Sequence, residues 1–313
     1  LQVVGWRRYF DAGRIAAHPA ADGVRLMVFP AGHIPGAAMI LVEVDRGDQR
    51  PFRLLYTGDF CAHDQPLVEG ALFPKTGESF PIDVLVMEGV LATNEEADRA
   101  DYGAELRRCV REVRDHNGAT LIGVSTLGEA APVLKALADA GSRPVVHRAL
   151  EPVLQAVWPG WSDASMSVVD EAEARRAFEA KRIVVAPGDQ FEENSPAGRL
   201  VASAAARPDG LIVVLNRAHK GTVAGQLCAA DRRANVDIGA RQIRLEARVE
   251  RFLLVNHAPR GQLVAAARAV DPDRLVLVHG KRSRLFALGR AIDKAGFGGQ
   301  IDVPETGERL DLA

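Results

Sequence analysis

Phe29-Pro-Ala-Gly-His33-Ile-Pro-Gly36-Ala-Ala-Met-Ile-Leu-Val-Glu-Val44 decides how the rest of the chain is read. The apolar run 24–29 reads as a strand that ends at Pro30. A tight turn with Gly32 and Gly36 follows, and a second apolar run, 37–44, leaves it. His33 therefore stands at a strand end with glycine on either side. A neutral imidazole that ligates a metal needs a fixed direction and an open approach, and this placement supplies both. It equally suits a turn histidine that caps a strand. Thr57-Gly58-Asp59 and Val278-His279-Gly280, further along, tip the choice toward a metal.

Working outward, Asp45-Arg-Gly-Asp48 is a polar turn, so 24–44 and 52–57 read as consecutive antiparallel strands. The short continuous apolar run 82–87 reads as a strand buried on both faces, with Glu88 directly after it. Upstream, Trp6, Tyr9 and Phe10 read as packing residues. Beyond residue 95 the style changes. Leu106, Val110 and Val113 recur at helical spacing over 101–116, and Asn117-Gly118 is expected to stop that helix with glycine in a left-handed cap. Strands at 120–124, 145–146, 182–186 and 211–215 alternate with helices at 128–140, 150–158, 170–180 and 196–206, which implies a largely parallel sheet covered by helices. From 237 to 249 apolar and charged residues alternate, the pattern of one half-buried antiparallel strand. A strand at 252–255, a helix at 261–270, a strand at 274–278 and a helix at 283–295 complete the chain. An α/β segment, 95–232, thus interrupts a different sheet system made of 1–94 and 233–313.

The chain of 313 residues is 47% hydrophobic and 26% charged, with formal net charge −2. That balance belongs to a globular protein with a sizeable core, and no overall basic field advertises a nucleic-acid-coating protein. The 3 cysteines, Cys61, Cys109 and Cys228, form neither a disulfide framework nor a cysteine zinc site, which fits a reducing cytoplasm. No apolar run is long enough to span a bilayer, so no membrane partner is expected.

Asp59, Glu88, His257 and His279 each follow an apolar strand directly, and His33 sits in a turn beside one. Strand ends gather at one edge of a layered α/β fold, and sites are built there. Singly, each has a plain reading as a turn, cap or core residue. Together, five residues of metal-ligand or acid–base type at one edge favour a metal site.

In order and spacing, Gly32-His33, Thr57-Gly58-Asp59, Asp83-Val-Leu-Val-Met-Glu88, Asn256-His257-Ala258 and Val278-His279-Gly280 resemble motifs of the metallo-β-lactamase superfamily. More narrowly, they look like its β-CASP branch of nucleic-acid-processing nucleases. The resemblance covers nearly the whole chain, including an α/β insertion between Glu88 and His257. It implies an αββα sandwich, incomplete at its N-terminus, formed by 1–94 and 233–313, with a β-CASP domain at 95–232. It further implies that His33 ligates one zinc, Asp59 bridges two, and His279 ligates the second. Glu88 would orient a ligand or proton, and His257 would stand near the scissile phosphate as an acid. Asp59, Glu88 and His257 would be the catalytic set. The chemistry implied is zinc-assisted phosphodiester hydrolysis. The histidine at 279 leans toward RNA, with DNA the lesser candidate, and a homo-oligomer is compatible with the family.

Four features depart from that pattern. No H-x-H-x-D-H zinc cluster precedes His33, which is expected to reflect truncation before Leu1, the first residue not being Met. Pro259 and Lys281 stand where the family often has acidic residues, and Glu88-Gly-Val-Leu differs from the usual run after the acid. A catalytically inactive β-CASP scaffold that binds RNA or a partner is therefore the second expectation. A small-substrate hydrolase of the same fold is the third. Among smaller features, the loop 188–198 reads as a plain strand–helix connection, and His63 as surface. Lys281, Arg282 and Arg284 read either as a phosphate-facing cluster or as a solvated helix start.

Overall fold

The computed structural model describes residues 16–17, 22–164 and 166–312; Trp6, Tyr9 and Phe10 lie outside the described residues. In chain order the strands are β1 (Ala16–Ala17), β2 (Val24–Pro30), β3 (Ala38–Arg46), β4 (Gln49–Tyr56) and β5 (Val84–Glu88). Helices α1 (Glu95–Arg99) and α2 (Tyr102–Asp115) follow, then β6 (Ala119–Val124), α3 (Ala130–Asp139), β7 (Val145–His147), α4 (Glu151–Val157) and β8 (Ser167–Val169). Next come α5 (Glu171–Glu179), β9 (Ile183–Pro187), α6 (Pro196–Ala205), β10 (Gly210–Leu215), α7 (Val223–Ala229), β11 (Asn235–Ile238), β12 (Arg241–Arg244) and β13 (Arg248–Phe252). The chain closes with α8 (Arg260–Val270), β14 (Arg274–Val278), α9 (Arg282–Lys294) and β15 (Gln300–Asp302).

These elements form two compact units. The first comprises Leu1–Asp64, Val68–Arg99 and Val255–Ala313, and the second Gln65–Leu67 and Ala100–Leu254. In the first, a mixed sheet has the order β1-β2-β3-β4-β5-β14-β15. Strands β2, β3 and β4 are an antiparallel meander, and β4, β5 and β14 are mutually parallel. Alternation along β3 and β4 turns Met39, Leu41 and Leu55 into one face, where they meet Leu263 of α8 and Leu285, Leu288 and Ile292 of α9. On the other face Ile40 and Tyr56, directly paired across β3 and β4, are 39% and 45% exposed. Glu43 and Arg53 break the apolar rule on the inner face. They are register partners, both buried, and Arg53 Nε donates to Glu43 Oε2 at 2.7 Å, so neither charge is buried alone.

In the second unit every ladder of the sheet β13-β10-β6-β9-β7-β8 is parallel. β6 and β10 are buried along their whole length because helices cover both faces. Ile122, Val213 and Leu215 pack with α2, α3 and α4, whereas Leu121, Ile212 and Val214 pack with α5, α6 and α7. The loop 188–198 is a connection into α6, capped by Ser195, whose Oγ accepts from the Gly198 N–H at 3.0 Å.

Two local expectations are corrected. The single antiparallel strand over 237–249 is resolved into a β11–β12 hairpin, turned at Gly239, and the separate strand β13. β13 pairs in parallel with β10, Leu211 opposite Arg248, so it is the edge of the second unit's sheet. Alternating polarity fits a hairpin arm and a half-covered edge strand equally well, so polarity alone does not place the break. Gly118 does not adopt a left-handed cap. α2 ends at Asp115 with His116 extended, and a Cβ on Gly118 would lie 1.8 Å from the Asp209 carbonyl oxygen. This glycine serves the close approach of two backbones.

Candidate functional site

β2, β4, β5 and β14 all run the same way, so their carboxyl ends share one edge of the first unit's sheet. The register Val278 opposite Glu88 places the residues after β14 and β5 side by side. The turn after β2 comes in close because Gly32 has φ 72° and carries no Cβ; one would lie 2.1 Å from the Cys61 carbonyl oxygen. His257 arrives on the loop before α8, held by the Ala258 N–H donating to Phe60 O at 2.6 Å.

The five candidate residues therefore meet. The His33 Nδ1–H donates to the Asn256 carbonyl at 2.9 Å, which leaves Nε2 as the lone-pair nitrogen, 4.0 Å from Asp59 Oδ2. Burial lowers the His33 pKa, outweighing its bond to Asn256, so the neutral, ligating form is favoured. Asp59 Oδ1 accepts from His279 Nδ1 at 2.6 Å. His279, with φ 54°, is the most exposed of the three histidines. Glu88 is 1% exposed and accepts from Phe60 N at 2.8 Å, from Val90 N at 3.3 Å and from the His257 Nδ1–H at 3.2 Å. The His257 ring lies 4.3 Å from that of His33 and 6.3 Å from that of His279, centroid to centroid.

One ligand atom each from His33, Asp59 and His257 falls within a 4.8 Å group. Two imidazoles and a carboxylate form a donor set that zinc accepts, and hydrogen bonds on Nδ1 of both rings orient them as ligand histidines commonly are. The residues present thus fit a zinc ion. His279, which the resemblance makes a ligand, reaches this group through its bond to Asp59.

Several neighbours escape sequence reading. Cys61 is fully buried, its thiol pushed up to about 12 by burial, and Sγ donates to Val255 O at 3.8 Å, bracing the segment that carries Asn256 and His257. His63 is half-buried rather than surface. Its ring lies 3.3 Å from Cys61 Sγ and 3.3 Å from Gln262 Nε2. In the second unit a separate polar cluster joins the ends of β6 and β10, where Glu129 accepts from Ser125 Oγ and Asn216 Nδ2. Ser125 and Asn216 follow apolar strands directly, the same signal that marked the five residues above.

Residues 242–304 match the family described as a Zn-dependent metallo-hydrolase RNA specificity domain. The chain is 25% identical over 304 residues to RNase aCSPSF2 of Saccharolobus solfataricus, covering 93% of this chain and 59% of that protein. It is 24% identical over 296 residues to cleavage and polyadenylation specificity factor 73 of Drosophila melanogaster, covering 87% and 42%. In these matches the chain is similar to RNA-processing nucleases of the β-CASP branch of the metallo-β-lactamase superfamily. Its fold is shared with a protein of unknown function from Enterococcus faecalis V583, at TM-score 0.55 and 14% identity, over 95% of this chain and 65% of that one. The chain spans 59% and 42% of the length of the two named relatives. Among its described residues no helix is long and apolar enough to cross a membrane.

Proposed function

We propose that this chain is part of a zinc-dependent RNA phosphodiester hydrolase. Its first unit would be the metallo-β-lactamase-like portion and its second the inserted β-CASP domain. The observation that carries the reading is the meeting of His33, Asp59, His257 and His279 over the buried carboxylate of Glu88. In this reading His33, Asp59 and His279 hold metal. Zinc, when bound there, supplies positive charge against the phosphate and lowers the pKa of a coordinated water. Glu88 fixes the His257 ring by accepting from Nδ1–H, and in its protonated form that ring offers its Nε2–H to the leaving oxygen. RNA is the preferred substrate because the relatives that match over most of the chain bear RNA-processing names.

The 4.8 Å grouping favours a second reading, in which His257 is itself a ligand. His257→Ala separates the two. With His257 as acid, zinc content by elemental analysis is unchanged while cleavage of a labelled single-stranded RNA slows by about 10²–10⁴-fold. Loss of zinc in this variant assigns it as a ligand. A full-length protein, with the residues that precede Leu1 and with His257 intact, that binds no zinc and cuts no RNA overturns the hydrolase reading in favour of a scaffold.

A further inference from the structure

The second unit contains a cavity of about 280 Å³ between α7, the segment 245–247 and the edge strand β13. Its floor is apolar: Leu227, Leu245 and Ala247 belong to the core beneath. Among the described residues its rim carries three arginines, Arg232, Arg248 and Arg251, and no acidic residue lines it.

The arginines are not equivalent. Arg248 pairs with Glu112 at 2.6 Å, so much of its charge is compensated outside the cavity. Arg232 is held differently. Its Nε donates to the Glu246 carbonyl at 2.8 Å and its Nη2 to the Pro208 carbonyl at 3.0 Å. Neutral carbonyls fix the plane of a guanidinium without cancelling its charge, which leaves a cation oriented before a ligand arrives. A planar arginine fork matches phosphate oxygens, and an apolar floor beneath it suits a flat organic group. The volume is at the small end for ligand pockets.

We propose that this cavity binds a small organic phosphate, with its apolar part against Ala230 and Val249, above the buried Leu227 and Leu245, and its phosphate on Arg232 and Arg251. The choice of a nucleoside monophosphate as that ligand rests on the RNA-cleaving reading above; the cavity itself does not. Such a nucleotide is a product class that RNA hydrolysis releases.

Cys228 lines the cavity and is exposed, whereas Cys61 and Cys109 are buried with thiols raised to about 12. Alkylation of native protein therefore reports on the cavity without reference to cleavage or metal. The rate at Cys228, followed by mass spectrometry, is measured with AMP, adenosine, inorganic phosphate or single-stranded RNA. AMP is expected to slow it, phosphate to do so more weakly, and adenosine not at all. Arg232→Gln is expected to weaken AMP protection by about 10–100-fold, the loss of a hydrogen bond to a charged group. Arg251→Gln serves if the first variant loses its thermal transition, because Arg232 also ties two backbone segments. Equal rates with and without AMP overturn the proposal. So does protection by adenosine as strong as that by AMP, which makes the arginines irrelevant, or protection by RNA but not AMP, which makes the surface a strand-binding one. Because the readout needs no turnover, failure here leaves the hydrolase reading standing, and failure of zinc binding leaves this one standing.

Discussion

Replacing Glu88 by Gln keeps the volume of the side chain and removes only its charge and one acceptor. Glu88 is 1% exposed, and three donors converge on it: Phe60 N, Val90 N and His257 Nδ1. A glutamine would keep its oxygen for Phe60 N, the shortest of the three bonds to the carboxylate. Its NH₂ would then face the Val90 N–H, donor against donor. A buried donor left unpaired costs about 1–3 kcal/mol, and the Phe60 bond loses charge assistance worth about 1 kcal/mol more. The expected loss is about 2–4 kcal/mol, or about 4–16 °C in the transition of the first unit. A second effect follows from the ring. His257 Nδ1 lies 3.2 Å from both carboxylate oxygens, so in the variant its N–H keeps only the amide oxygen that Phe60 N already uses, and the ring is held by one weaker bond. If His257 ligates zinc, affinity should fall by about 10–100-fold, as for loss of other groups that orient ligand histidines. Circular dichroism melts beside a zinc titration read both consequences. An Glu88→Gln protein with an unchanged melt would refute the claim that this carboxylate ties the strand ends together.

Asp59→Ala should lower zinc content and abolish RNA cleavage more completely than any other single change at the site, since it removes the carboxylate that lies between His33 and His279. Elemental analysis and a labelled-RNA assay check this. Gly32→Ala should destabilise the first unit by more than about 1 kcal/mol in a denaturant melt, because φ is 72° and the new Cβ would collide with backbone at Cys61. Glu129 gives a pH test. Burial raises its pKa, helped by Asp189 and opposed by its bonds from Ser125. The folded state then holds the proton more tightly than the unfolded one, so its stabilising contribution is full below the ordinary glutamate range and is lost as pH rises through the raised value. Glu129→Gln should therefore melt higher than the parent at mildly alkaline pH. The gap should close in acid below the ordinary glutamate range, and a gap that widens in acid would contradict the assignment.

The candidate site was legible in the sequence to the extent that it is made of strand ends. His33, Asp59, Glu88 and His279 each border an apolar run, and the chain's period-2 and continuous apolar patterns locate β2, β4, β5 and β14 without three-dimensional information. What those patterns do not encode is direction. Which imidazole nitrogen faces Asp59 depends on the Asn256 carbonyl, 223 residues away, and the orientation of His257 depends on Glu88, 169 residues away. Hence only the tertiary structure brings His257 into the group with His33 and Asp59 while His279 bonds the aspartate. The same limit explains Cys61 and His63, whose burial is created by the segment 255–262 folding over them. It explains β13 as well. Its residues alternate like a half-buried strand, yet its partner, β10, is chosen by which sheet still has an open edge, and that is a property of the assembled unit rather than of any local run of residues.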